Sequence, residues 1–464
     1  GHTLVPVTVT AGTLLYHGTR RPDIPQTPEW VALDPEFSYS FCILNLTEAC
    51  WYLTMAVKKP LNLLYFDGAS AAKMRGPLDV QDILVWGKVI PERTMDEYSR
   101  IHDLCRWGEK YDLDGFLRYV RGHRSPSEIM LCNFTKSADV VSFLNIEAVL
   151  IEELTPLASR PPPGEIWLPA FRALEAGHWH NNFPGDPRVR LDLSRLVSFY
   201  DTDLFPSLAE ARHGQERWDH RVVKLGEDHE GRERLLNKLN EVLGAEPPPP
   251  GSGVDWSALT RVVVHRFADR LELLRYTLNG TASTGDPNAL KDAHAYIASM
   301  LSPYIVHGVR PPPPFSPDFT WATPVFKHCA QTHTGFISKI LLPQLTPSEH
   351  LILGSVNGVL HEICRVIVGI WAEGVELGIE AERFQEVPRV DWELRVGKLM
   401  QWLDWSAWVK CTPQCGFEET CWIPTWPGWT WTLHDNGSMP NPDDDYWRRP
   451  QPACMRRVAP YKMV

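Results

Sequence analysis

Leu14-Leu15-Tyr16-His17-Gly18-Thr19, followed by Trp30-Val31-Ala32-Leu33-Asp34-Pro35-Glu36, decides how the N-terminal region is read. Each segment is a short apolar run that breaks at a turn signal, the pattern of a strand ending at a loop. Thr13–Tyr16, Trp30–Leu33, Leu61–Phe66, Glu128–Cys132 and Val140–Leu144 all read as strands, and Asp96–Trp107 as a helix. Strands interspersed with helices make residues 1–155 an α+β domain.

The remainder divides by composition. Three proline runs, at 161–163, 247–250 and 311–314, punctuate it, and Pro247–Pro250 with Gly251-Ser252-Gly253 reads as a linker. Residues 156–253 form a mixed connector. Residues 254–410 read as a helical domain. Val262, Val263, Phe267, Leu271 and Leu274 recur at helical spacing, and Thr346-Pro347-Ser348-Glu349 has the form of a capping box. It leads into Leu351–Trp371, which carries His361, Glu362 and Arg365 and so reads as a buried helix rather than a membrane span. Residues 411–464, rich in Cys and Trp, are expected to pack on the helical domain.

The chain has 464 residues and a formal charge of −11. That charge, without a basic run, argues against nucleic acid as a partner, since phosphate binding needs a cationic surface. A small molecule or a glycan is the expected partner, and a monomer the expected state. The 10 cysteines are even in number, and four glycosylation sequons begin at Asn45, Asn133, Asn279 and Asn436. Together with the 40 Pro and 19 Trp, they favour a disulfide-bonded, secreted chain with an N-terminal leader or anchor removed.

Metal signals are weak. His178 and His180 share a strand face, and His328, Cys329 and His333 are close in sequence, but neither group has a third ligand nearby. Cys411, Cys415 and Cys421 match no common zinc spacing, and Asp443–Asp445 reads as a solvated turn. No metal or bound cofactor is expected. Phosphate-loop and nucleophile-elbow motifs are absent.

The N-terminal motifs resemble the ADP-ribosyltransferase fold: Leu15-Tyr16-His17-Gly18-Thr19, then Trp30–Asp34, then Ser127-Glu128-Ile129-Met130-Leu131. The Val57–Gly68 stretch looks like that fold's central strand. The resemblance implies NAD as substrate, with His17 on a ribose, Trp30 or Tyr39 stacked on nicotinamide, and Glu128 stabilising positive charge at the ribose C1. Tyr16, Gly18 and Thr19 would line the site, and Asp114 or the Gly115 turn would preorganise Glu128. One carboxylate placed beside an oxocarbenium-like centre is sufficient chemistry for this cleavage. Two departures matter. Trp30 stands where a Tyr is usual, and Pro126 stands where arginine-specific members carry a second Glu or Gln, which leaves water or another acceptor open.

A second reading is a glycosidase. Its paired carboxylates would lie roughly 5 Å apart for retention or 6.5–9.5 Å for inversion. Asp34, Asp67, Asp114 and Glu128 fall near strand ends, and the Trp-rich tail would stack on sugars. A third reading is a binding protein without catalysis. The whole chain also resembles a family of fungal secreted or membrane-anchored proteins of no assigned activity, through Leu63–Lys73 and the Cys421–Pro427 tail segment.

Overall fold

The computed structural model describes residues 2–39, 41, 50–72, 76–119, 126–146, 186–244, 250–284, 287–309, 319–379, 391–423 and 451–458. They divide into two units, one of Gly1–Pro249 with Lys410–Val464 and one of Pro250–Val409.

The first unit is built on one mixed sheet. Its strands are β1 (Thr3–Val9), β2 (Leu14–Thr19), β3 (Glu29–Ala32), β4 (Cys50–Val57), β5 (Leu61–Phe66), β6 (Gly115–Tyr119), β7 (Pro126–Leu131), β8 (Ala138–Ile146), β9 (Val189–Leu191) and β10 (Val197–Ser198). Across the sheet the order is β10-β1-β5-β6-β7-β3-β2-β4-β8, with β9 also paired to β1. Among the described strands only β5 and β6 run parallel. Parallel neighbours need a crossover, and here it carries two helices, α2 (Asp79–Trp86) and α3 (Glu97–Gly108). Asp96 caps α3, its side chain accepting from the Ser99 N–H. Helix α1 (Pro35–Tyr39) follows β3, and α4 (Phe134–Ser137) follows β7.

The alternation of strand side chains sorts the core into two layers. Leu64, Phe66, Phe116 and Met130 face Ile83 of α2 and Ile101 and Leu104 of α3. Leu63, Leu117 and Ile129 fall on the opposite face with Leu15, Val31, Leu53 and Phe134. Counting on by two from Phe116 and Met130 puts Arg118 and Glu128 on the helix-covered face. That places both beneath α3.

The expected break at residue 155 does not hold. Strands β9 and β10 pair with β1. Val197, Phe199, Phe205 and Leu208, with Leu235 and Leu239 of α6 (His229–Leu243), complete the helix-side core. Helix α5 (Pro206–Arg212) lies between. The C-terminal tail, expected on the helical domain, groups with this first unit instead. It holds β11 (Glu419–Trp422) and β12 (Ala453–Arg456), paired antiparallel.

The second unit is helical: α7 (Trp256–Thr284), α8 (Pro287–Leu301), α9 (Thr323–Gln331), α10 (Pro347–Glu376) and α11 (Trp392–Leu403). The Thr346/Glu349 capping box forms as expected at the head of α10. Glu349 also accepts from Trp256 Nε1 at 3.0 Å, tying α10 to α7. By length and composition α10 is apolar enough to cross a bilayer, yet Leu360, Ile363, Ile367 and Ile370 are buried in the helical core.

Disulfides join Cys105 to Cys132, Cys329 to Cys364, Cys411 to Cys421 and Cys415 to Cys454. Cys50 is disulfide-bonded as well. These bonds occupy the thiols of both Cys-containing metal candidates. His178, His180, Asp443–Asp445, Asn45 and Asn436 lie outside the described residues. Asn133 is exposed at the head of α4, where its side chain accepts from the Lys136 N–H at 2.9 Å. Asn279 is exposed on α7.

Candidate functional site

Strands β2, β3 and β7 are neighbours, and they bring His17, Trp30 and Glu128 to one cavity of about 250 Å³. Gly18, Glu29, Phe37, Phe41, Glu97 and Arg118 also line it. The cavity opens where β2 and β3 part: they share a single residue pair, Tyr16 with Ala32. Beyond that pair His17 takes over from the ladder. Its Nδ1 donates to the Trp30 carbonyl at 2.7 Å. A carbonyl only accepts, so the proton sits on Nδ1 and the neutral ring keeps Nε2 as an acceptor. His17 is 8% exposed. Burial pulls its pKa below the ordinary value, against the opposing pull of the Trp30 carbonyl and Glu29. Phe134 meets the ring edge-on.

Glu128 stands opposite Ala32 on one side and Arg118 on the other. It is 3% exposed and Arg118 is 1% exposed. Arg118 Nε donates to Glu128 Oε1 at 2.9 Å, and Nη2 reaches the same oxygen. No bond from a described residue to Glu128 Oε2 accompanies these contacts to Oε1. Arg118 Nη2 also meets Glu97 of α3 at 2.5 Å, and Nη1 donates to Gln81 of α2 at 3.2 Å. Gln81 is itself held by the Ser70 carbonyl at 2.8 Å.

The network continues behind the cavity. Arg100, on α3, contacts Glu97, donates to Asp82 at 3.0 Å and to the Arg93 carbonyl at 2.9 Å. Two guanidinium groups thus serve three carboxylates below the solvent line. Burial opposes the charge on Arg118, but Glu128 and Glu97 override it and hold its pKa above the ordinary value. Burial raises the pKa of Asp82, and Arg100 opposes that rise. Such a network holds its members in one geometry, because removing one partner strands the others.

Other candidates from the sequence lie elsewhere. Asp114 accepts from the Asn62 N–H at 3.0 Å and lines a different cavity with Asp112, Cys132 and Lys136. It sits at the Gly115 end of β6, away from Glu128, so Arg118 and not Asp114 preorganises that carboxylate. Gly115 is not a turn residue either. It opens β6, and a Cβ there would lie 2.2 Å from the Met130 carbonyl oxygen. Asp34 pairs with Arg188 at 3.6 Å. Asp67 accepts from the His2 and Thr3 N–H groups, at 2.5 and 2.8 Å. Neither carboxylate lines the cavity; of the four expected there, Glu128 does, joined by Glu29 and Glu97. Tyr16 and Tyr39 both pack near Tyr52. Thr19 accepts from the Arg21 N–H in an exposed turn. The aromatic wall is Trp30 with Phe37 and Phe41.

Residues 1–49 and 44–160 match a family model described as the YPL277C N-terminal domain. Uncharacterized protein YOR389W of Saccharomyces cerevisiae is 22% identical over 92% of this chain and 78% of its own length. Uncharacterized protein YPL277C of the same yeast is 29% identical over 32% of this chain and 38% of its own length. The chain is similar to an uncharacterised family of fungal proteins. The family match covers the strands and helices that build the cavity, whereas YOR389W extends the likeness over both units. No solved structure matches.

Proposed function

We propose that the first unit is an NAD-cleaving site of ADP-ribosyltransferase-like design, a glycohydrolase or a transferase, working in an oxidising extracellular compartment. The observation that carries the reading is the meeting of His17, Trp30 and Glu128 in one cavity from three adjacent strands. The disulfides and the Asn133 and Asn279 sequons support the compartment.

In this account nicotinamide stacks in the aromatic wall of Trp30, Phe37 and Phe41. His17 Nε2 accepts from a ribose hydroxyl. The bond between nicotinamide N1 and ribose C1 breaks with its electron pair leaving on nicotinamide, and positive charge grows on the sugar. Glu128 Oε2, left open by Arg118, stabilises that charge. Water or another acceptor then attacks C1 and loses its proton to solvent. A preorganised carboxylate whose orientation is already fixed needs no rearrangement at the moment of reaction.

The glycosidase reading retains one supporting observation. Glu97 and Glu128 meet the same Arg118 nitrogen, so two carboxylates stand close together at the cavity, as a glycosidase needs. Against it, the cavity is small and contains one Trp, where a polysaccharide chain needs an extended groove. Incubation of the purified chain with NAD tests the proposal. Equal release of nicotinamide and ADP-ribose supports a hydrolase, and nicotinamide alone supports transfer. No release, with cleavage of aryl glycosides instead, favours the second reading.

A further inference from the structure

The first unit holds a further cavity of about 220 Å³, lined by Phe199, Tyr200, Asp201, Thr202, Arg212, His213 and His220 among others. It stands apart from the NAD proposal and shares no residue with that site. Its base is Arg212, the last residue of α5, 7% exposed.

A guanidinium this deep normally has a carboxylate. Arg212 has none. Its Nη1 donates to the Phe199 carbonyl at 2.5 Å, its Nε to the Arg221 carbonyl at 3.2 Å, and its Nη2 meets His2 Nδ1 at 3.4 Å. The Tyr200 ring lies 4.7 Å from the guanidinium carbon. These contacts are all with neutral groups. They use three of the five N–H donors and leave one on each terminal nitrogen. Compare Arg118 and Arg100, each of which meets two carboxylates.

The other polar groups fit an anion. Thr202 and His213 are exposed at the rim, and no described residue bonds either side chain. Tyr200 and His220 are joined to each other, hydroxyl to Nδ1 at 3.2 Å, and His220 Nε2 donates to the Gln215 carbonyl at 3.1 Å. Asp201 is the one acid in the lining. Its Oδ1 is already engaged by the Asp203 and Leu204 N–H groups, both at 3.0 Å. Burial pulls the pKa of Arg212 below its ordinary value, with only the Tyr200 oxygen opposing. That accords with a cation that has no carboxylate partner among the described residues.

We propose that this cavity binds the phosphate group of a small phosphorylated molecule, with Arg212 as its charged base and Thr202 and His213 as its rim. A tetrahedral phosphate presents its acceptor oxygens in three dimensions, so it can meet the two Arg212 donors and both rim groups together, whereas a carboxylate's acceptor sites lie in one plane. The aromatic lining leaves room for a small organic portion.

The probe is inorganic phosphate, titrated calorimetrically into the full chain with chloride keeping the ionic strength constant. The expected result is saturable binding, weakened at least tenfold in Arg212→Met. If that variant fails to fold, the rim double variant Thr202→Val with His213→Ala, which touches no core contact, is expected to weaken binding at least fivefold without lowering the melting temperature. Sulfate should compete. Absence of saturable binding, full binding in the rim variant, or acetate binding as tightly as phosphate would each overturn the assignment.

Discussion

Arg118 and Glu128 face each other across β6 and β7, buried, with Arg118 Nε 2.9 Å from Glu128 Oε1. Glu97 reaches the same guanidinium from α3. One cation therefore holds a carboxylate from the sheet and a carboxylate from the helix above it.

Replacing Arg118 by Met leaves Glu128 without a counter-charge and Glu97 with Arg100 alone. Loss of one partner from a buried pair costs about 3–5 kcal/mol, so the variant should unfold at markedly lower urea. The deficit should shrink on acidification, because two crowded buried carboxylates are relieved by taking up a proton. Urea denaturation at neutral and mildly acid pH reads both effects. An equal deficit at the two pH values would contradict the shared role of Arg118.

His17 gives a second pH signature. Its folded pKa lies below the ordinary value because burial disfavours the imidazolium. Between that lowered value and about 6.5 the unfolded chain binds more protons than the folded one, so stability rises with pH there and levels off above. Stability should fall as pH drops from 7 to 5, by up to about 1.4 kcal/mol per unit for this one group. His2, pulled down to about 2 by burial and nearby cations, adds to the same slope. His17→Gln should flatten the curve, and an unchanged slope would count against a buried neutral imidazole.

The Cys105–Cys132 disulfide joins α3, which carries Glu97, to the residue after β7, which carries Glu128. Its sequence separation is 27, and closing such a loop contributes about 3–4 kcal/mol in the chain-entropy account. The double substitution to Ala should lower stability by roughly 2–4 kcal/mol and reduce turnover at temperatures where the fold is still intact. Full turnover at those temperatures would show that α3 holds its place without the bond.

In the helical unit, a Cβ at Gly374 would lie 2.1 Å from His294 Cδ2. His294 is fully buried, with Nε2 donating to the Trp371 carbonyl at 3.0 Å. Gly374→Ala should therefore destabilise that unit by about 1–3 kcal/mol or more, seen as a lowered melting temperature. A melting temperature equal to wild type would mean that His294 moves freely.

Much of the sheet was legible because its strands are short apolar runs that stop at turn residues. His17 stands where one such run stops, and Trp30 and Glu128 open two others, so the residues that meet in the cavity were already singled out. Arg118 was not. Asp112-Leu113-Asp114-Gly115 has the composition of a turn, and Asp112 does adopt a left-handed φ of 48°. The Gly, however, serves close strand approach beside Met130, and the chain continues as β6 to Arg118. Glu97 was hidden for another reason. An acidic residue in the first turn of a helix ordinarily faces water and the macrodipole, and only the arrival of Arg118 from the sheet turns it inward. The domain boundary at 155 failed because β9 and β10 are two or three residues long, too short to register as strands without β1 beside them.

The measurement that tests the central claim most directly is nicotinamide release from NAD by the wild-type chain beside Glu128→Gln. The account predicts turnover by the wild type and at least a hundredfold loss in the variant, with Gln still accepting from Arg118 and the fold retained by circular dichroism. No turnover by the wild type, or equal turnover in a folded Glu128→Gln variant, would contradict it.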